Sequence, residues 1–154
     1  MNGKKDFNLR LIDALIGILV AFMVLLPALV TKNDDLSFTG LEVAFGEEFA
    51  NLGDLASGEI TATPLVLVAF ALPLVGALFA LFVNKGYLLA MISYIAATIM
   101  LFMAPELVTV EYSALDATME GDVEWKYGIG SILAMGLSVF GIVLSLFKIY
   151  RENA

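Results

Sequence analysis

Four runs of about twenty apolar residues constrain this chain more than anything else in it. They are Leu11 to Val30 ("LIDALIGILVAFMVLLPALV"), Pro64 to Val83 ("PLVLVAFALPLVGALFALFV"), Tyr87 to Ala104 ("YLLAMISYIAATIMLFMA") and Gly128 to Phe147 ("GIGSILAMGLSVFGIVLSLF"). About 20 residues of helix cross a hydrocarbon core about 30 Å thick. In lipid every backbone N–H and C=O must be satisfied within its own segment, so each run is expected to be helical. Apolar residues make up 60% of the 154, and the mean hydropathy is +0.92. A soluble core of this size could not hide that much apolar surface. The sequence therefore predicts an all-α membrane protein, a single four-span domain over residues 1–154 built as a four-transmembrane-helix bundle.

Between the runs lie two long loops, 31–63 and 105–127, and one three-residue link, Asn84-Lys85-Gly86, which forces the second and third helices into a hairpin. Six of the eight basic residues fall on the side of the termini and the short link: Lys4, Lys5, Arg10, Lys85, Lys148 and Arg151. The long loops hold Lys32 and Lys126 against seven acids in the first and six in the second. Lys and Arg stay on the cytoplasmic side. A multi-pass protein of the plasma (inner) membrane is expected, with both termini cytoplasmic and both long loops outside. The first run follows Lys4 and Lys5 as a signal peptide would, but it is longer than a signal core and lacks a small-x-small cleavage site, so it is read as a retained anchor.

The outer loops carry strand signals. Leu41, Val43 and Phe45 alternate with Glu42 and Ala44 between Gly40 and Gly46. In the second loop Val108, Val110 and Tyr112 alternate with Thr109 and Glu111, just after Pro105, which is expected to end the third helix. Glu59–Thr63 is a possible third strand, and Phe49–Gly58 reads as a short helix or turn. Together these predict a small extracellular β-sheet built from the two outer loops, its strands offering an edge to a partner. The alternative is amphipathic loop pieces resting on the headgroups.

Small residues mark where membrane helices approach closely. The fourth run has the longest stripe, Gly130, Ala134, Ser138, Gly141 and Ser145. It either closes the bundle on itself or faces another subunit. Pro73 is expected to kink the second helix, and Pro27 to disturb the last turn of the first. Asp13 is the only charge inside the four runs. It lies two residues inside its span and is read as interfacial, paired with Arg10 one turn earlier, rather than as a proton relay. Trp125 and Tyr127 sit where interface-belt anchors are found.

With no Cys and no His, the chain lacks a thiol nucleophile, a thiolate or imidazole metal site and the commonest general base. No EF-hand spacing organises the acids, and there is neither a phosphate-binding glycine loop nor a basic patch for nucleic acid. No cofactor and no metal is expected. The expected partners are the lipid bilayer and either a second copy or another membrane protein.

The layout resembles the claudin-type tetraspan plan: cytoplasmic termini, a long first outer loop with strand signals ("TGLEVAFG"), a tight inner turn and a shorter second outer loop. The likeness covers the whole chain as topology. In that family the outer loops form a small sheet above a four-helix bundle, and members act in cell contacts or as auxiliary subunits. Of the family's first-loop signature this chain keeps Gly40-Leu41 and lacks the cysteines, so no functional residue is carried over. The same stretch is similar to segments of small uncharacterised bacterial four-span proteins. The function expected is a non-enzymatic membrane protein acting through self-assembly or as an accessory subunit. The alternative is a small oligomeric cation channel or transport protein with an acidic mouth.

Overall fold

Helices α1 (Asn2–Phe22), α3 (Pro64–Phe82), α4 (Tyr87–Leu107) and α5 (Ile129–Asn153) are joined by a tight link and two strand-bearing loops, the first of which holds the short α2 (Gly40–Phe45). This computed structural model describes residues 2–115 and 117–153; Asp116, counted among the acids of the second loop, lies outside them, as do the side chains of Lys4 and Lys5. The four long helices are long and apolar enough to cross a membrane. Each is antiparallel to its neighbours in the ring α1–α3–α4–α5, since α1 and α4 each pack on both α3 and α5. The termini and the Asn84–Gly86 link share one end of the bundle, the terminal end. The strands cap the other, the sheet end.

The bundle is built from small residues inside and large ones outside. Ala77, Ala90, Ala97 and Ala134 are fully buried, whereas Leu15, Phe82, Ile92 and Phe140 are exposed. Hydrocarbon is as apolar as these side chains, so pointing them outward costs nothing there, and the helices gain instead from close approach. At Gly17 a Cβ would lie 2.7 Å from the Ala77 Cβ and 2.8 Å from the Pro73 carbonyl oxygen. Only glycine lets α1 touch α3 at that point.

Three helix boundaries differ from the expectation. Helix α1 is displaced toward the N-terminus. It ends at Phe22, and after a 3₁₀ turn Pro27–Thr31 forms strand β1. Pro27 therefore opens a strand instead of bending a helix, because β1 finds its backbone partners in neighbouring strands. Pro105 does not end α4; it sits in the last turn of a helix that reaches Leu107, where its missing N–H removes a single helical bond. Helix α5 runs six residues past Phe147.

The loops build two sheets rather than one. The first has the order β2–β1–β7, from Ser37–Thr39, Pro27–Thr31 and Trp125–Tyr127. The second is a four-stranded antiparallel sheet in the order β3–β4–β5–β6, from Glu47–Asn51, Ala56–Ile60, Val110–Ala114 and Ala117–Gly121. Phe49–Gly58, expected as a short helix or turn, supplies most of β3, a 3₁₀ turn and the start of β4. The expected strand at Leu41, Val43 and Phe45 is instead helix α2. Thr39 caps it: its hydroxyl accepts from the Glu42 N–H at 3.3 Å, and the Glu42 carboxylate accepts from the Thr39 N–H at 2.7 Å. This Thr-x-x-Glu capping box outweighs the alternation. The buried set is Gly40, Val43 and Ala44, a helical i, i+3, i+4 spacing, and it leaves Leu41 half-buried and Phe45 exposed.

Candidate functional site

Asp13 faces the interior of the bundle. Its side chain is fully buried among α1, α4 and α5. The Lys148 ammonium donates to its Oδ2 at 2.9 Å. The Tyr94 hydroxyl lies 3.2 Å from its Oδ1 and 3.0 Å from its backbone carbonyl oxygen. The partner is thus Lys148, 135 positions away, and not Arg10 at i−3. The chain folds this way because Lys148 stands on the buried face of α5, in line with Ser138, Gly141 and Ser145, and that face meets α1 and α4. A Cβ on Gly141 would lie 2.6 Å from the Tyr94 ring, so this glycine admits the tyrosine to the bundle centre. A buried charge pair of this kind fixes how α1 and α5 are set against each other.

The stripe Gly130, Ala134, Ser138, Gly141 and Ser145 lies buried inside the bundle. Gly130 packs on the carbonyls of Met23 and Leu26, and Gly141 on Tyr94. The buried hydroxyls of Ser138 and Ser145 have no hydrogen-bond partner among the described residues.

The sheet end holds a second constellation. In the four-stranded sheet Glu48 stands opposite Glu59, Glu59 opposite Glu111, and Glu111 opposite Glu120. Directly opposed residues share a face, so four carboxylates line up across four strands, an arrangement that repels itself. Among the described residues no group of three acids is close enough to hold a metal. The other face is mainly apolar, with Glu47 opposite Ile60 at its β3 edge. Ile60 opposes Val110, both buried, and Gly58 opposes Tyr112, which opposes Met119. Near the bundle this face is sealed by an aromatic chain: Phe49 lies 6.2 Å from Tyr112 and 6.0 Å from Phe38, which lies 5.8 Å from Trp125. The Trp125 indole donates to the Val108 carbonyl at 3.0 Å. Trp125 thus ties β7 to the end of α4, whose C-cap is Val108. Farther from the bundle the seal stops. Leu52, Leu55, Leu115 and Met119 are each at least 66% exposed, and Leu55 and Leu115 meet through the backbone bond from Leu115 N–H to Leu55 O at 3.3 Å.

Of the residues expected to form a partner edge, Val110 and Tyr112 are on strand β5. Val108 is buried just before it, and Leu41, Val43 and Phe45 are on α2. Both basic residues of the loops are engaged in exposed ion pairs, Lys32 with Glu124 and Lys126 with Asp34 at 3.2 Å, which tie the first loop to the second. The glutamate row and the Asp13–Lys148 pair were not apparent in the sequence. The one available signal was that Lys148 follows the buried stripe of α5 at i+3 from Ser145. No family model, curated protein or solved structure matches the chain.

Proposed function

We propose that this is a multi-pass protein of the plasma (inner) membrane that works by contact and not by catalysis, assembling with itself or serving as the accessory subunit of another membrane protein. In this reading the termini are cytoplasmic and the sheet end faces outside, which the distribution of Lys and Arg supports. The claudin-type likeness of the plan points the same way. The observation that carries the reading is the open part of the apolar sheet face, Met119 with Leu52, Leu55 and Leu115 at the tip. Exposed apolar groups gathered on a water-facing sheet mark a surface that a partner covers. The β6 edge beside it bears one carboxylate, Glu120, where the β3 edge bears Glu47 and Glu48. It is the less protected of the two edges.

The test is the mass of the gently extracted protein by light scattering, with mass spectrometry of what copurifies. A defined oligomer or a stoichiometric foreign protein is expected, and Met119→Lys should disperse it while leaving helix content unchanged. A monomer that copurifies with nothing sinks the reading.

The glutamate row favours a second reading, an oligomeric cation channel or transport protein whose acidic mouth gathers cations. Reconstituted liposomes would then pass cations, and Glu111→Gln would slow the flux. Liposomes that stay tight to cations refute it.

A further inference from the structure

The chain has eight basic residues, and among the described side chains three converge on one cavity of about 300 Å³ at the terminal end of the bundle. Arg10 comes from α1, and Lys148 and Arg151 from α5. The walls between the charges are Leu9 of α1, Ala80 of α3 and the Tyr87 ring of α4, so all four long helices contribute. Lys148 forms the floor, where Asp13 already holds its ammonium. The Arg151 guanidinium lies 6.0 Å from the centre of the Phe147 ring on the outer surface of α5. Among the described residues the acid at the rim is Glu152, which is bonded to the Tyr87 hydroxyl.

The chemistry of this cavity is that of a bound phosphate anion. The Arg10 guanidinium offers a planar fork suited to phosphate oxygens, and Arg151, already engaged by neighbours, adds a second positive charge at the rim. The ammonium on the floor is matched by Asp13, so the excess positive charge of the lining comes from the two guanidiniums against the carboxylate of Glu152. The cavity also opens where the apolar stretches of α1, α3, α4 and α5 begin or end, at the level where lipid phosphates sit and basic pockets between helices take up headgroups. Apolar walls at that level suit the glycerol end of a lipid better than a freely diffusing anion. We infer that this cavity binds the phosphate of an anionic ligand, with the headgroup of an anionic phospholipid as its source. The inference rests on the helices crossing a bilayer and is independent of what covers the sheet end.

The experiment uses the full chain, delipidated in detergent and then placed in nanodiscs. Native mass spectrometry would follow retention of phosphatidylglycerol against phosphatidylcholine with the same acyl chains. The variants are Arg10→Gln with Arg151→Gln, and Lys85→Gln as a control on the same end but outside the cavity. The expected result is selective retention of phosphatidylglycerol, weakened roughly tenfold in the double variant and unchanged by Lys85→Gln. Circular dichroism of each variant confirms that the fold is intact. Inorganic phosphate serves as competitor. No displacement at millimolar phosphate assigns the site to lipid; displacement assigns the same phosphate site to a soluble anion. Equal retention of the two lipids, or full retention by the double variant, overturns the inference. A protein that does not enter nanodiscs at all overturns the membrane reading beneath it.

Discussion

The Asp13–Lys148 pair gives the sharpest test of how the bundle is held together. At 2.9 Å the two charges attract by about 6 kcal/mol at an effective dielectric of about 20. Desolvation consumes most of that gain, so the net worth of the pair is small, but breaking it leaves one buried charge unmatched, at about 3–5 kcal/mol. Asp13→Leu should fall near the lower figure, because Lys148 borders the cavity at the terminal end and can turn its ammonium toward water. Tyr94 is not orphaned by this change, since its hydroxyl keeps the Asp13 backbone carbonyl at 3.0 Å. Lys148→Met should fall near the upper figure, because the Asp13 carboxylate it leaves unmatched is fully buried. The double variant, which replaces the pair by apolar side chains, should return to within about 1 kcal/mol of the parent. Denaturing-detergent titration in mixed micelles, followed by Trp125 fluorescence, gives the three stabilities and their coupling. If the double variant loses the sum of the single losses, the pair is not the unit described here.

Other substitutions separate packing from propensity. Gly141→Ala should lower stability by about 1–3 kcal/mol through overpacking against Tyr94, whereas Gly136→Ala, on the same helix with nothing within 4 Å of its added Cβ, should be neutral or stabilising by up to about 1 kcal/mol; thermal unfolding of the two compares them directly. Ala134→Leu, at a fully buried position, should reduce folded yield at constant protein concentration, and unchanged yield would mean that the α5 stripe is not packed inside the bundle. Glu111→Thr removes the carboxylate that faces both Glu59 and Glu120 and should stabilise the sheet by about 0.5–1 kcal/mol, the gain shrinking as salt is added. Thr39→Ala removes the cap of α2 and should cost about 1 kcal/mol, seen as faster amide exchange over Gly40–Phe45.

The number and type of the long helices were legible because hydrophobic length is a local property. Each run carries its own backbone bonds, and any solvent that accepts its side chains accepts the helix. The strand signals of the second loop were legible for the same reason, as the alternation around Val110 and Tyr112 is held in six residues. Local reading failed where two local signals competed. At "TGLEVAF" the alternation suggested a strand, but Thr39 and Glu42 cap a helix whose buried face is Gly40, Val43 and Ala44. At Pro27 hydropathy continued the span, whereas the backbone left the helix to pair with β2 and β7.

What only the tertiary structure decided are the meetings of distant residues. Asp13 looks like a peripheral acid beside Arg10 until α5 brings Lys148 to it across 135 positions. Glu48, Glu59, Glu111 and Glu120 are scattered acids until strand register sets them in one row, and a shift of one residue would turn a strand's glutamate to the other face. The sequence by itself determined that this chain has four apolar helices with acidic, strand-forming loops, because those features depend on neighbours along the chain. Which charges pair, which repel and which close around a cavity depended on helix rotation and strand register, and these are set by packing over the whole molecule.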